Sequence, residues 1–246
     1  MVSLSQDVVK AFLDAPEGRE LKPAAVRPAS VPSLQIKEES ESKYKSERDK
    51  PFLETLEDIS KAVASCTLCR LCKSRTNTVP GAGNGVRPDI LFIGEGPGRD
   101  EDEQGIPFVG RAGKLLTKMI DAMGYTREEV FIANVVKCRP PDNRAPSADE
   151  MAACLPWLLR QIEILNPKTI VTLGATAFKG LTGRDDLMIS KERGVWNKFK
   201  EIPLMPTFHP SYLLRFSSAK VQVWKDLRAV MKFLGKPVKQ KQNDKV

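Results

Sequence analysis

Five cysteines stand in an order that suits a metal centre: Cys66-x2-Cys69-x2-Cys72, then Cys138, then Cys154. A CxxC pair places two thiolates on one tight turn. With Cys138 and Cys154, which are separated by 15 residues, two pairs of thiolates from distant parts of the chain could close a four-cysteine site, which suits zinc or an iron–sulfur cluster. Because the count is odd, one cysteine is spare. Cys154 also fits a plainer role, since a free cysteine on a helix packs as a small apolar residue.

Two further groups carry chemical potential. The segment GEGPGRDEDEQGIPFVGRAG, Gly94–Gly113, joins an apolar run to a helical pattern. Its glycines let a backbone come close to a ligand. It is neither a dinucleotide fingerprint, since GEGPGR lacks the last glycine, nor a P-loop, since no GK[ST] occurs. The acidic run Asp100–Glu103 reads as a solvated loop face. Phe108, between Pro107 and Val109, reads first as a core anchor and second as a stacking platform for a base. His209 is the single histidine, in FHPSYLLR. It directly follows an apolar run, with Ser211 close by, and suits a hydrogen-bond donor to a developing anion. No GxSxG turn supports a serine nucleophile.

The elements that must position these groups alternate between strands and helices. FLETLEDISKAVAS forms a helix leading into the first cysteines. The strands are Asp89–Gly94, Val130–Val136, Thr169–Leu173 and Ile202–Phe208, the last limited to partial pairing by Pro206. Helices fall at AGKLLTKMIDAMG, at ADEMAACLPWLLRQIEIL and at SAKVQVWKDLRAVMKFLG. Ser147 and Glu150 match a capping box, and Pro156 is expected to kink or divide the second of these helices. The pattern predicts an α/β fold with a four-stranded parallel sheet covered on both faces. Such sheets place their sites at the carboxyl ends of strands, where Gly94–Gly98, Asn134, the GAT after the third strand and His209 all fall.

Composition sets the outer limits. Residues 1–50 hold nine Lys/Arg and nine Asp/Glu, so the net charge of +8 sits wholly in 51–246. A basic domain attracts a polyanion, most often nucleic acid. No apolar run is long enough for a membrane span. The first residues lack a signal peptide's pattern, which points to a cytoplasmic chain. Five cysteines there argue against a disulfide framework. Residues 1–50 read as a flexible extension: 5–14 carry the spacing of a short amphipathic helix, and 15–50 are rich first in Pro and Ala and then in charge. The folded domain spans 51–235, followed by a basic tail over 236–246.

Five segments in order, CTLCRLCKSRTNTVPG, DILFIGEGPGRDEDEQGIPFVGRAGKLL, NVVKCRPPDNRAPSADEMAACLPWL, TLGATAF and HPSYLLR, resemble the iron–sulfur (family 4) uracil-DNA glycosylases. The resemblance covers roughly residues 52–234. It implies a three-layer α/β/α sandwich around a four-stranded parallel sheet, and removal of uracil from DNA. It implies a [4Fe–4S] cluster held by Cys66, Cys69, Cys138 and Cys154, with Cys72 spare. Phe108 would stack on the flipped uracil, Asn134 read its edge, and His209 donate to O2. Glu95 and the backbone near Gly96 would line the pocket and position the water. The best-known uracil glycosylases carry an aspartate where this chain has Gly96, which leaves Glu95 as the water-positioning candidate. Ser211, Leu213, Leu214 and Arg215 would form a DNA-insertion loop, with a leucine filling the vacated space. The expected partner is uracil-containing DNA, bound by a monomer. The extension is a candidate tether to a replication or repair protein. Glu95 argues against a relative of broader base specificity. A cluster-bearing DNA-binding module without base release is the non-enzymatic alternative.

Overall fold

A computed structural model describes residues 54–237 except 185 and 187. The expected helix at 5–14 and most of the basic tail lie outside the described residues.

The sheet follows from apolar runs whose alternate residues face opposite sides. Its strands are β1 (Ala82–Gly83), β2 (Ile90–Gly94), β3 (Phe131–Asn134), β4 (Thr169–Leu173), β5 (Asn197–Phe199) and β6 (Ile202–Thr207), in the order β1-β3-β2-β4-β6-β5. Four of them, β3-β2-β4-β6, run parallel. The expected count of four is therefore corrected to six, because β1 and β5 add antiparallel edges. Two and three residues are too short to show a period, and β5 is polar, so neither edge has a sequence signal. Pro206 fits within β6 because β5 pairs only as far as Leu204. The Pro206 carbonyl accepts from the Gly194 N–H instead.

Two helical layers cover the sheet. On one face, Ile90, Phe92, Val171 and Met205 pack against α3 (Arg111–Ala122) and α8 (Lys220–Phe233). On the other, Leu91, Ile93, Ile170 and Leu204 pack against α4 (Ala148–Leu165) and α5 (Ala175–Thr182). The result is a three-layer α/β/α sandwich. The shorter helices are α1 (Leu56–Ala64), α2 (Arg99–Gln104), α6 (Ile189–Glu192) and α7 (Pro210–Arg215).

The helix ends follow local chemistry. The predicted capping box starts α4, with the Ser147 N–H donating to Glu150 at 2.8 Å. Pro156 does not divide the helix, which runs unbroken for 18 residues. An interior proline removes one backbone donor, and here Leu158, Ile162 and Leu165 bury the far half against the sheet. The chain runs from β2 out to β3 and then crosses to β4 on the other side of β2. That reversal opens a crevice beyond the strand ends.

Candidate active site and cysteine centre

The crevice is a cleft of about 680 Å³, and the carboxyl ends of all four parallel strands meet in it. Glu95, Gly96, Phe108, Asn134, His209 and Ser211 line it together, with Arg215 at its edge. The glycine loop stays attached to β3 beyond the strands. The Val135 N–H donates to Gly94 O at 3.0 Å, and the Val136 N–H to Glu95 O at 3.2 Å. A Cβ on Gly96 would fall 2.7 Å from Val136, so the close approach requires glycine there.

Asn134 and Phe108 converge above Gly94. A Cβ at Gly94 would stand 2.4 Å from Asn134 Oδ1 and 2.5 Å from the Phe108 ring. Asn134 is buried, and its Oδ1 has no hydrogen-bond partner among the described residues. A buried acceptor without a partner is costly, and this one sits in the wall of the cleft. Phe108 adopts a left-handed backbone, φ 52°. The Arg127 guanidinium holds that turn, donating to Pro107 O at 2.6 Å, to Phe108 O at 3.0 Å and to Thr117 Oγ1 at 3.2 Å.

His209 faces Phe108, with ring centroids 5.7 Å apart and planes at 36°. Its Nδ1 accepts from the Ser211 N–H at 3.1 Å and lies 2.7 Å from Ser211 Oγ. Burial, helped by the nearby Arg215 charge, pushes the imidazole down to about 4. The ring is thus neutral at pH 7, and with Nδ1 accepting, its proton sits on Nε2. The predicted insertion loop divides into different environments. Ser211 is engaged with His209. Leu213 is a core residue at 1% exposure, because α7 turns it onto the α3/α8 layer. Leu214 (44%) and the exposed Arg215 face outward.

The sequence model of the uracil DNA glycosylase superfamily matches residues 80–228. The chain belongs to that superfamily. It is 48% identical to a type-4 uracil-DNA glycosylase of Thermotoga maritima over 188 residues, 74% of this chain and 96% of the relative. It is 51% identical to one of Sulfurisphaera tokodaii over 170 residues, 66% and 77% of the two chains. A third, from Archaeoglobus fulgidus, is 41% identical over 191 residues, 75% and 96%.

In this superfamily member all five cysteines are free thiols, and all five line one small second cavity. Cys72 stands among them rather than apart. Among the described residues, no three of these groups converge on a point as the ligands of a single metal ion do. The surroundings are rich in donors facing sulfur. Arg75 Nη1 donates to Cys138 Sγ at 3.2 Å, and the Lys137 N–H to Cys154 Sγ at 3.3 Å. Trp157 lines the same cavity, and its buried Nε1–H has no partner among the described residues. Burial pushes the Cys154 thiol up to about 11.

Three residues escape the sequence reading, and a fourth, Glu150, enters it only as a helix cap. Glu101 Oε1 accepts from the Val109 and Gly110 N–H groups, both at 2.9 Å, and Oε2 from the Gly98 N–H at 3.1 Å. Asp102 is buried and accepts from the Thr76 N–H at 3.0 Å. The acidic run is thus the short helix α2 with two structural carboxylates, not a solvated loop face. Its capping signal is hidden because the cap residue is Gly98. Glu150 is fully buried between Arg144 at the cleft edge (2.7 Å) and Arg70 in the cysteine turn (2.8 Å). The Arg144 guanidinium first of all, with Arg70 adding to it, holds the Glu150 carboxyl well below the usual carboxylate range. Lys137 is also fully buried. Burial pushes its ammonium down to about 8, opposed by Cys154.

Proposed function

We propose that this protein is a monofunctional uracil-DNA glycosylase, which extrudes uracil from single- or double-stranded DNA and hydrolyses its N-glycosidic bond. The observation that carries the reading is the unpartnered, buried Asn134 Oδ1 beside the Phe108 ring. Uracil offers an N3–H donor and an O4 acceptor side by side, and one side-chain amide satisfies both. Cytosine presents a different pattern there. Phe108 stacks on the base, and its left-handed turn fixes the ring.

Flipping costs a few kcal/mol of unstacking and unpairing. Bond cleavage then leaves negative charge on the departing base. His209, neutral with its proton on Nε2, donates to uracil O2 as that charge grows. A preorganised neutral donor of this kind stabilises the anion without holding a charge beforehand. Ser211 fixes the ring's tautomer through Nδ1. The Glu95 carboxylate, which also lines the cleft, orients the water that adds to the sugar carbon, leaving an abasic site for base excision repair.

Arg215 contacts phosphate on this reading, and Leu214 fills the vacated stack. Leu213, being core, takes no such part. Cys66, Cys69, Cys138 and Cys154 hold a [4Fe–4S] cluster, with Cys72 the bystander. The donor set suits it: Arg75 and the Lys137 N–H face cysteine sulfur, and the buried Trp157 N–H in the same cavity has no partner among the described residues. When bound, the cluster joins cysteine segments far apart in sequence. No described helix is long and apolar enough to cross a membrane. The protein acts as a cytoplasmic monomer, and residues 1–50 serve as a tether to a replication or repair partner.

The test is release of free uracil from an oligonucleotide bearing one uracil, single-stranded and duplex, with strand scission only after alkali. His209→Ala should lower the single-turnover rate by about 10²–10³. Salt-sensitive DNA binding without release from either substrate would instead support a cluster-bearing DNA-binding module.

A further inference from the structure

Lys137 is the group that the chemistry above leaves unused. Its side chain is fully enclosed, yet no carboxylate lies within ion-pair distance of it among the described residues. Enclosing an ammonium is unfavourable unless its protons are well placed. Two of them are: Nζ donates to the Asn134 backbone carbonyl at 2.9 Å and to Gln161 Oε1 at 2.6 Å. Gln161 is itself fixed, because its amide donates to Pro80 O at 2.8 Å. The Lys137 main chain meanwhile donates to Cys154 Sγ. One residue therefore touches the end of β3 through its side chain and the cysteine centre through its backbone. Cys154, Trp157 and Gln161 lie on one face of α4, at the spacing that brings helical residues into line. The strand end, the lysine and that helix face form a continuous chain of contacts.

We infer that Lys137 is a positioning residue for base recognition, its ammonium locking the Asn134 backbone against α4 so that the Asn134 amide is held in place before uracil arrives. The inference rests on the proposed reading of Asn134 as the base-reading residue. Asn134 is the last residue of β3. Beyond it Val135 and Val136 bond to the glycine loop on one side, while on the other β1 reaches only as far as Ile132, so no strand flanks Asn134 there. The Lys137 ammonium holds the Asn134 carbonyl from within the core.

The experiment is a double-mutant cycle on the full-length, cluster-loaded protein, using Lys137→Met and Asn134→Ala. The first readout is affinity for DNA carrying one non-hydrolysable 2′-fluoro-arabino-uridine, against the same oligonucleotide with thymidine. The second is the iron content and visible absorption of each variant. Lys137→Met should keep its iron and its affinity for the thymidine DNA, and lose about tenfold or more of the uracil preference. Added to Asn134→Ala, it should cost little more, since the two residues act as a unit. Fully additive losses, an unchanged uracil preference, or loss of iron in step with affinity would each overturn the inference. Should Lys137→Met fail to fold, Gln161→Met keeps the ammonium but removes its anchor. It should lower the uracil preference a few-fold, again without adding to Asn134→Ala, and additivity there overturns the inference equally. If Asn134→Ala itself leaves the preference unchanged, it is the base-reading assignment that fails, a result the cycle separates from the others.

Discussion

The base cleft and the cysteine cavity share the segment Asn134–Cys138 yet are built by opposite means. The cleft is roomy and assembled from the ends of neighbouring parallel strands, and its key acceptor is left unpaired. The cysteine cavity is small, with Cys138 and Cys154 buried and the other three thiols partly exposed. Its thiols come from a turn at 66–72, the loop beyond β3, and a helix. A reacting site needs groups held in place but not yet satisfied. An architectural site needs segments that cannot hold together on their own. The contrast predicts that damage to the two regions separates cleanly into lost chemistry and lost stability.

The largest effect should come from the cleft. Asn134→Ala should lower single-turnover uracil release by about 10²–10³, with the melting midpoint and iron content close to those of the parent. A parallel collapse of stability would erase the distinction between the regions. The next should come from the cysteines. Cys154→Ser should remove iron and lower the melting midpoint by roughly 10 °C, as loss of about 4 kcal/mol implies for a domain of this size. Cys72→Ser, measured in the same way, should retain iron. A result with those two exchanged would reassign the spare cysteine.

The pH profile sharpens the cleft side alone. On the proposed mechanism His209 works as the neutral ring, and its imidazole is pushed down to about 4. As far as His209 is concerned, single-turnover release should therefore be flat through pH 6–8 and fall only as pH drops towards 4. The sign for stability is the same. Below about 6.5 the unfolded chain takes a proton that the folded site refuses, so stability falls as pH drops from 6.5 towards 4 and does not change on this account above 6.5. A midpoint of activity near 6.5 would mean that the ring is solvated. The smallest effect should come from Leu214→Ala: a few-fold loss on duplex and little on single strands. Equal losses on both would remove the wedge.

Much of the fold was legible because strongly apolar strands and periodic helices signal themselves. The four parallel strands, the capping box at Ser147 and the closing helix all appear where hydrophobic spacing puts them. The two edge strands do not, since a few residues carry no period. Leu213 and Leu214 are adjacent and identical in type, and only the hand of α7 separates core from surface. The burial of Glu101, Asp102, Glu150 and Lys137 was illegible for a different reason. Charged residues usually face water, and what encloses these four is their partners in the fold: backbone N–H groups for Glu101 and Asp102, a guanidinium 80 residues away for Glu150, and a carbonyl and a side-chain amide for Lys137.

The three bonds accepted by Glu101 have a consequence for which uracils are found first. They tie the glycine loop and the Phe108 turn into one frame, so the pocket has little shape left to acquire when the base enters. The work of recognition then falls on the nucleic acid. With a preformed receptor, differences in rate between substrates follow the ease with which each DNA context gives up its base. Uracil already unpaired, or poorly paired opposite guanine, should be removed ahead of uracil held in a well-stacked pair with adenine.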